Sequence, residues 1–135
     1  PNLVKRNTPF AKTLGGMLDV LSAPNGKQAF KAMYESFFGP KCAKAVSRGA
    51  VSDAMKTPLE TVIKEIDVMA VSTERMARDV KQPVLWLTAA GVDQAYIAKH
   101  LKNVQFAQVV GSGHFPQLEV PEQTNAIIQT FVRQL

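Results

Sequence analysis

The sequence predicts an α/β fold in which only part of a parallel sheet is present. About eighty residues with helical periodicity come first, and a short, continuous apolar run follows at residues 84–88. A helix, a second strand, a loop and a last helix then alternate, which is typical of a parallel sheet covered by helices. Two strands leave an edge and apolar faces uncovered, so we expect the remaining strands from another polypeptide or from a missing part of this one.

The composition is that of an ordinary globular unit, with 46% hydrophobic and 20% charged residues. Basic residues are scattered among acidic ones without long runs, so we expect no nucleic-acid partner despite the net charge of +5. No apolar run is long enough to predict a membrane span. No spacing of His, Cys and Asp predicts a metal, and no other cofactor is expected. The single cysteine, Cys42, favours a cytoplasmic location.

Caps and breakers delimit the first two helices. Thr8-Pro9 predicts the start of the first helix, Asn25 is expected to cap the second, and Gly39-Pro40 is expected to stop it. An apolar stripe recurs at helical spacing, which favours packing between the helices. Some of its side chains could instead line an apolar acyl or alcohol pocket. The stripe contains Met17, Phe30, Met33, Tyr34, Phe37 and Phe38.

The following segment is expected to be less regular. Residues 42–46 predict a short helix that ends in a loop at Gly49. Thr57-Pro58-Leu59-Glu60 has the pattern of a capping box and predicts the start of a helix. Ser72 is expected to cap a short helix that reaches about Val80.

After Pro83 the pattern changes. Val84–Thr88 predicts a buried strand of a parallel sheet, and residues 106–110 predict a second strand. Between them we expect a helix over residues 94–101, with Ala95, Ala98 and Leu101 facing inward. His100 lies late in this helix, where we expect it to be solvated or stabilised by the helix dipole. Pro121 predicts the start of the last helix.

The loop Gly111-Ser112-Gly113-His114 follows the second strand. In open α/β sheets, ligands bind outside the carboxyl ends of the strands. Glycines at the end of a strand allow a sharp turn, which can place the histidine at the ligand-binding edge of the sheet. His114 is therefore a candidate general base.

Residues 111–122, GSGHFPQLEVPE, resemble the catalytic-histidine loop of the α/β-hydrolase family. In that loop, Gly-x-Gly-His is followed by an aromatic residue and by Leu-Glu-x-Pro-Glu before the final helix. Residues 82–87 resemble the strand that precedes the catalytic acid. The resemblance is strong over residues 82–135 and only architectural before them. It implies the C-terminal portion of an α/β-hydrolase fold, with a helical cap over residues 1–80 and part of the core domain over residues 81–135.

The resemblance also implies a carboxylesterase-like enzyme that hydrolyses an ester or related bond of a small apolar molecule. His114 would be the base of a Ser-His-acid triad, and Phe115, Met33 and Phe37 would contact the substrate. The sequence contains no Gly-x-Ser-x-Gly pentapeptide, the usual site of the nucleophile. We therefore expect the nucleophile on an N-terminal half, as a missing segment or a separate chain, without which the enzyme is inactive.

Several alternatives stay open. Asp93 follows the first strand and is the candidate triad acid, but it precedes His114 by fewer residues than is usual in the family. It could equally cap the next helix, with the acid placed after an earlier strand. The same fold also serves dehalogenases, epoxide hydrolases, C–C bond hydrolases, haloperoxidases and non-catalytic binding or receptor proteins. A helical interaction domain whose tail only mimics the family is a further alternative.

Overall fold

The computed structural model describes residues 9–69 and 74–135. Four helices come first, and a fifth helix leads into a strand–helix–strand unit that two further helices follow. The helices are α1 (Pro9–Ser22), α2 (Gly26–Ser36), α3 (Lys44–Ala54), α4 (Leu59–Val68), α5 (Glu74–Asp79), α6 (Gln94–His100), α7 (Pro116–Glu119) and α8 (Pro121–Val132). The strands are β1 (Val84–Thr88) and β2 (Val104–Gln108).

The helical region, residues 9–69, has a core of its own between α1, α2 and α4. Its buried side chains come from all three helices, namely Leu14, Leu21, Phe30, Val62 and Ile66. Met17, Met33 and Tyr34 of the predicted stripe pack against this core while staying partly exposed. Burying one such large apolar side chain contributes roughly 1.5–3 kcal/mol, so this core stabilises the region.

Two predictions about the helical region are wrong. The loop expected at Gly49 is helical, because α3 runs from Lys44 to Ala54. Glycine costs a helix only about 1 kcal/mol relative to alanine, and α3 tolerates that cost. The capping box does not form either: α4 begins at Leu59, and its cap position is Pro58, which makes no side-chain cap hydrogen bond.

Other predicted boundaries fall at or near the observed ones. α2 begins directly after Asn25, although the Asn25 side chain makes no cap hydrogen bond. The helix ends at Ser36, three residues before Gly39. Thr8 and Ser72, the other predicted caps, lie outside the described residues.

β1 and β2 pair in parallel, with Val84 opposite Val104 and Thr88 opposite Gln108. β2 therefore starts and ends two residues earlier than predicted. Val110, expected in the strand, is 75% exposed. β1 has the predicted bounds but is not fully buried, since all five of its residues are partly exposed. The physical reason is that, over residues 9–69 and 74–135, the sheet has two strands and β1 is paired on one edge only.

α5 and α6 cover one side of the sheet through a second core. Ala77, Ile97 and Leu101 are buried there, and Trp86 and Phe106 pack against them. The predicted inner face of α6 is confirmed at Leu101 and wrong at Ala95 and Ala98, which are exposed. Burying an isoleucine side chain releases more free energy than burying an alanine side chain. The face of α6 that contains Ile97 therefore packs against the sheet.

His100 shares that inner face and is only 3% exposed, which corrects the prediction of a solvated histidine. Its Nδ1 lies 2.9 Å from the carbonyl oxygen of Tyr96, which can only accept a hydrogen bond. Its Nε2 lies 3.8 Å from Oε2 of Glu74. The Tyr96 hydroxyl donates to Oε1 of Glu74 at 2.6 Å, and this bond is the main cause that raises the pKa of Tyr96. His100 is thus a buried member of a polar cluster.

Within the described ranges, no helix combines the length and apolar character that crossing a bilayer requires.

Candidate active site

Two glycines shape the loop that follows β2. Gly111 has a φ of +84°, in the left-handed region that glycine adopts without steric cost. Gly113 packs directly on the end of α2, where a Cβ atom would overlap the carbonyl oxygen of Phe37 and lie 2.5 Å from the nitrogen of Gly39. No side chain fits at position 113, and this close approach brings the next residue, His114, against the helical region.

His114 is held by both its backbone and its ring. Its N–H donates to the carbonyl oxygen of Phe37 at 2.7 Å. Its imidazole stacks on the Phe37 ring with centroids 4.9 Å apart, and the Phe115 ring stands perpendicular to it at 5.1 Å. Among the residues that the structure describes, no hydrogen bond engages either ring nitrogen of His114. The ring is therefore oriented by aromatic neighbours, and its nitrogens are available for proton transfer.

The carboxylate of Glu119, at the end of α7, binds this loop. Its Oε1 accepts hydrogen bonds from the N–H groups of Gly113 (3.0 Å) and Phe115 (3.3 Å), and its Oε2 accepts one from Gly39 (2.7 Å). The pKa of the Cys42 thiol is raised above its usual value. The main cause is desolvation of the thiol, and the second is the negative charge of Glu119. The sequence motif includes Glu119, but it predicts neither α7 nor the contact with Gly39.

His114 lies between two cavities. A cavity of about 590 Å³ extends under the helical region, and its walls are mainly apolar. It contains the three predicted substrate contacts, Met33, Phe37 and Phe115, together with His114. A second cavity of about 450 Å³ opens at the carboxyl end of β1, beside Thr88 and Ser112, and His114 lines it too. One imidazole thus borders both an apolar chamber and the edge of the sheet.

Asp93, the other predicted catalytic residue, lies at the N-terminus of α6. Its Oδ1 accepts a hydrogen bond from the N–H of Tyr96 at 2.9 Å, so it caps this helix. Across residues 9–69 and 74–135, neither a hydrogen bond nor an ion pair joins Asp93 to His114. The structure does not bring these two predicted site residues together as a pair.

The same described residues hold no group of three or more His, Cys, Asp or Glu side chains placed to bind a metal ion.

No protein-family model matches the chain, and no curated protein matches it in sequence. Solved structures match its fold. One is a thermophilic esterase from Thermogutta terrifontis with bound malate, at a TM-score of 0.69 and 17% identity, over 96% of this chain and 52% of that one. Another is MGS-M2, an α/β-hydrolase enzyme from a Medee basin deep-sea metagenome library, at a TM-score of 0.71 and 19% identity, over 99% of this chain and 55% of that one.

These likenesses confirm the predicted fold class: the chain has a partial α/β-hydrolase fold, in which helices precede two parallel strands with flanking helices. At such low identity they show the fold alone. The chain spans about half the length of each of these structures.

Proposed function

We propose that this chain is the C-terminal half of an esterase-like hydrolase and supplies its histidine base. One observation carries the proposal: the His114 imidazole lies on the loop beyond a parallel strand, between an apolar cavity and the sheet edge, with both ring nitrogens unengaged among the described residues. The esterase and the hydrolase that share this fold support it. The helical region then serves as the cap, and the single cysteine supports a cytoplasmic location.

In the proposed reaction, His114 accepts the proton of a serine hydroxyl as that oxygen attacks the ester carbonyl. It then returns the proton to the departing alcohol. The chain has no Gly-x-Ser-x-Gly segment, so the serine belongs to an N-terminal half. One edge of β1 is unpaired within residues 9–69 and 74–135, and in this proposal the strands of that half add there. The 450 Å³ cavity beside Thr88 leaves room for the serine next to His114.

The 590 Å³ cavity then takes the apolar part of the substrate, and its volume exceeds what a short acyl group fills. In the complete enzyme, Met33→Trp should lower kcat/KM for p-nitrophenyl octanoate about tenfold. That loss corresponds to excluding about two methylene groups, each worth about 0.8 kcal/mol. Turnover of p-nitrophenyl acetate should change little, because a short acyl group does not need that space.

Gln28→Trp is the matched control, since it places the same side chain on an exposed position of α2. It should leave the rates for both esters unchanged. An equal loss of acetate and octanoate turnover in Met33→Trp would contradict the assignment of this cavity as the acyl pocket. A complete protein that binds such esters without hydrolysing them would instead favour the binding or receptor alternative.

The acid that orients His114 is either Asp93 or a carboxylate of the N-terminal half. Asp93→Asn should leave the unfolding temperature almost unchanged, because asparagine caps a helix about as well as aspartate. Asp93→Ala should cost on the order of 1 kcal/mol, because the observed bond to the Tyr96 N–H is lost. Ester hydrolysis by the Asn variant decides the role: a drop of orders of magnitude assigns the acid to Asp93, and retained turnover assigns it to the other half.

A further inference from the structure

We propose that Glu119 is the positioning residue of the site, fastening the His114 loop to the end of α2 through one carboxylate. The inference rests on the proposed function, in which His114 transfers the proton. Glu119 lies on α7, outside the residues predicted to contact substrate. Its role is to fix where the imidazole lies, without itself contacting the reacting atoms.

The donors around Glu119 come from two segments far apart in the sequence. Oε1 accepts from the N–H groups of Gly113 and Phe115, the residues immediately before and after His114. The Ser112 hydroxyl also reaches Oε1, at 3.4 Å. Oε2 accepts from the N–H of Gly39, which is 80 positions away in the chain. The carboxylate therefore joins the histidine loop to the residues that follow α2.

The second segment also touches His114 directly. Phe37, two residues before Gly39, accepts the His114 N–H with its carbonyl oxygen and stacks its ring on the imidazole. Because both sides of the imidazole depend on segments that Glu119 holds, releasing either one should move the ring relative to the cavities. A displacement of about 1 Å at a reacting group can cost about a hundredfold in rate.

The chemistry of the donor set requires a carboxylate. Three backbone N–H groups donate to Glu119, and an ionised carboxylate offers acceptors on both oxygens. The Ser112 hydroxyl, whose one proton can go to Glu119 or to the carbonyl oxygen of Gly113, adds a weaker contact. A glutamine side chain of the same shape keeps one oxygen and replaces the other with an NH₂ group, which only donates. A glutamine therefore cannot accept hydrogen bonds from both the Gly113 N–H and the Gly39 N–H. Glu119→Gln should break one of these two hydrogen bonds while keeping the side-chain volume.

The test uses the complete protein, with Glu119→Gln compared with the matched change Glu122→Gln on the exposed first turn of α8. For p-nitrophenyl octanoate, Glu119→Gln should lower kcat about a hundredfold and change KM much less, because Phe37 and Phe115 are the only described walls of the apolar cavity, apart from His114, that lie beside the released contacts. Glu122→Gln should behave like the wild type. Glu119→Asp keeps the charge but shortens the reach, and we expect its kcat to lie between those of Gln and the wild type.

A second readout does not depend on turnover. In ¹H NMR spectra, the wild type should show nuclear Overhauser contacts between the Phe37 and His114 rings and slow exchange of the Gly39 and Gly113 amides. Glu119→Gln should lose the contacts between the two rings, and the amide proton of Gly39, of Gly113 or of both should exchange rapidly. Only two histidines are present, so His114 is assigned by comparison with a His114 variant.

Unchanged ring contacts together with wild-type kcat in Glu119→Gln would overturn the inference, as would a change confined to KM. If Glu119→Gln does not fold, Glu119→Asp carries the same test, and wild-type kcat with wild-type ring contacts in that variant would also overturn it. If the wild type hydrolyses no ester, the proposed function fails. The ring contacts then still decide whether Glu119 holds His114 in place.

Discussion

Replacing His114 with alanine in the complete enzyme should lower kcat for an activated ester by about a thousandfold or more, as loss of a triad member typically does. In the proposed reaction the imidazole takes the proton from the attacking hydroxyl, and an alanine side chain cannot do so. The fold should survive, because the His114 side chain is exposed and contributes mainly a stacking contact with Phe37. Initial rates and the unfolding temperature, measured on the same samples, separate the two effects.

The second histidine, His100, provides a control whose replacement should lower stability and leave kcat unchanged. His100→Ala removes a ring that is 3% exposed and its contact with the Tyr96 carbonyl, so it should lower stability by on the order of 2 kcal/mol. The kcat of its folded fraction should stay near that of the wild type, since His100 lies away from both cavities. Near-normal turnover in His114→Ala would exclude the base assignment.

This chain alone should hydrolyse no ester, and activity should appear when a separately produced N-terminal half is added. The expected change is from background to measurable turnover, because the proposed function places the nucleophile and the base on different halves. Among the residues that the structure describes, one edge of β1 and the partly exposed faces of both strands also have no partners. Such a sheet is marginal in water, so its amide protons should exchange rapidly until the other half is present.

Hydrogen exchange and gel filtration measure this prediction directly. A monomer of residues 1–135 with cooperative, slowly exchanging amides in β1 and β2 would contradict it. So would hydrolysis by this chain alone that is lost on His114→Ala. Turnover in the mixture that survives His114→Ala would mean that the base lies on the other half.

Elements with strong local signals could be predicted from the sequence. β1 has the predicted bounds because Pro83 precedes a continuous apolar run, and α8 begins at the predicted Pro121 because proline suits the first position of a helix. The predicted bounds of β2 lie two residues too late, because Val109 and Val110 have the side chains typical of a strand. Val109 is in fact buried just past the strand, where its N–H donates to the carbonyl of Thr88.

The contacts that organise the site could not be predicted in this way. The inner face of α6 depends on what covers it, and Ala95 and Ala98 gave too weak a signal to distinguish that face from the one with Ile97. Glu119 is harder still, because its partner Gly39 is remote in the chain and only the folded structure brings the two together. A sequence pattern identifies the histidine, while tertiary contacts determine what holds it in place.

The close contact between residues 37–39 and the histidine loop affects how molecules enter and leave the apolar cavity. If the helical region is the cap of the proposed enzyme, this contact is a point about which it can pivot beside His114. Helices α1 and α4, which supply Leu14 and Ile66 to the cavity wall, would move with the cap in such a motion. Such lid motions commonly take microseconds to milliseconds. In the proposed enzyme, such a motion would let substrate and product pass through that wall while the imidazole keeps its position.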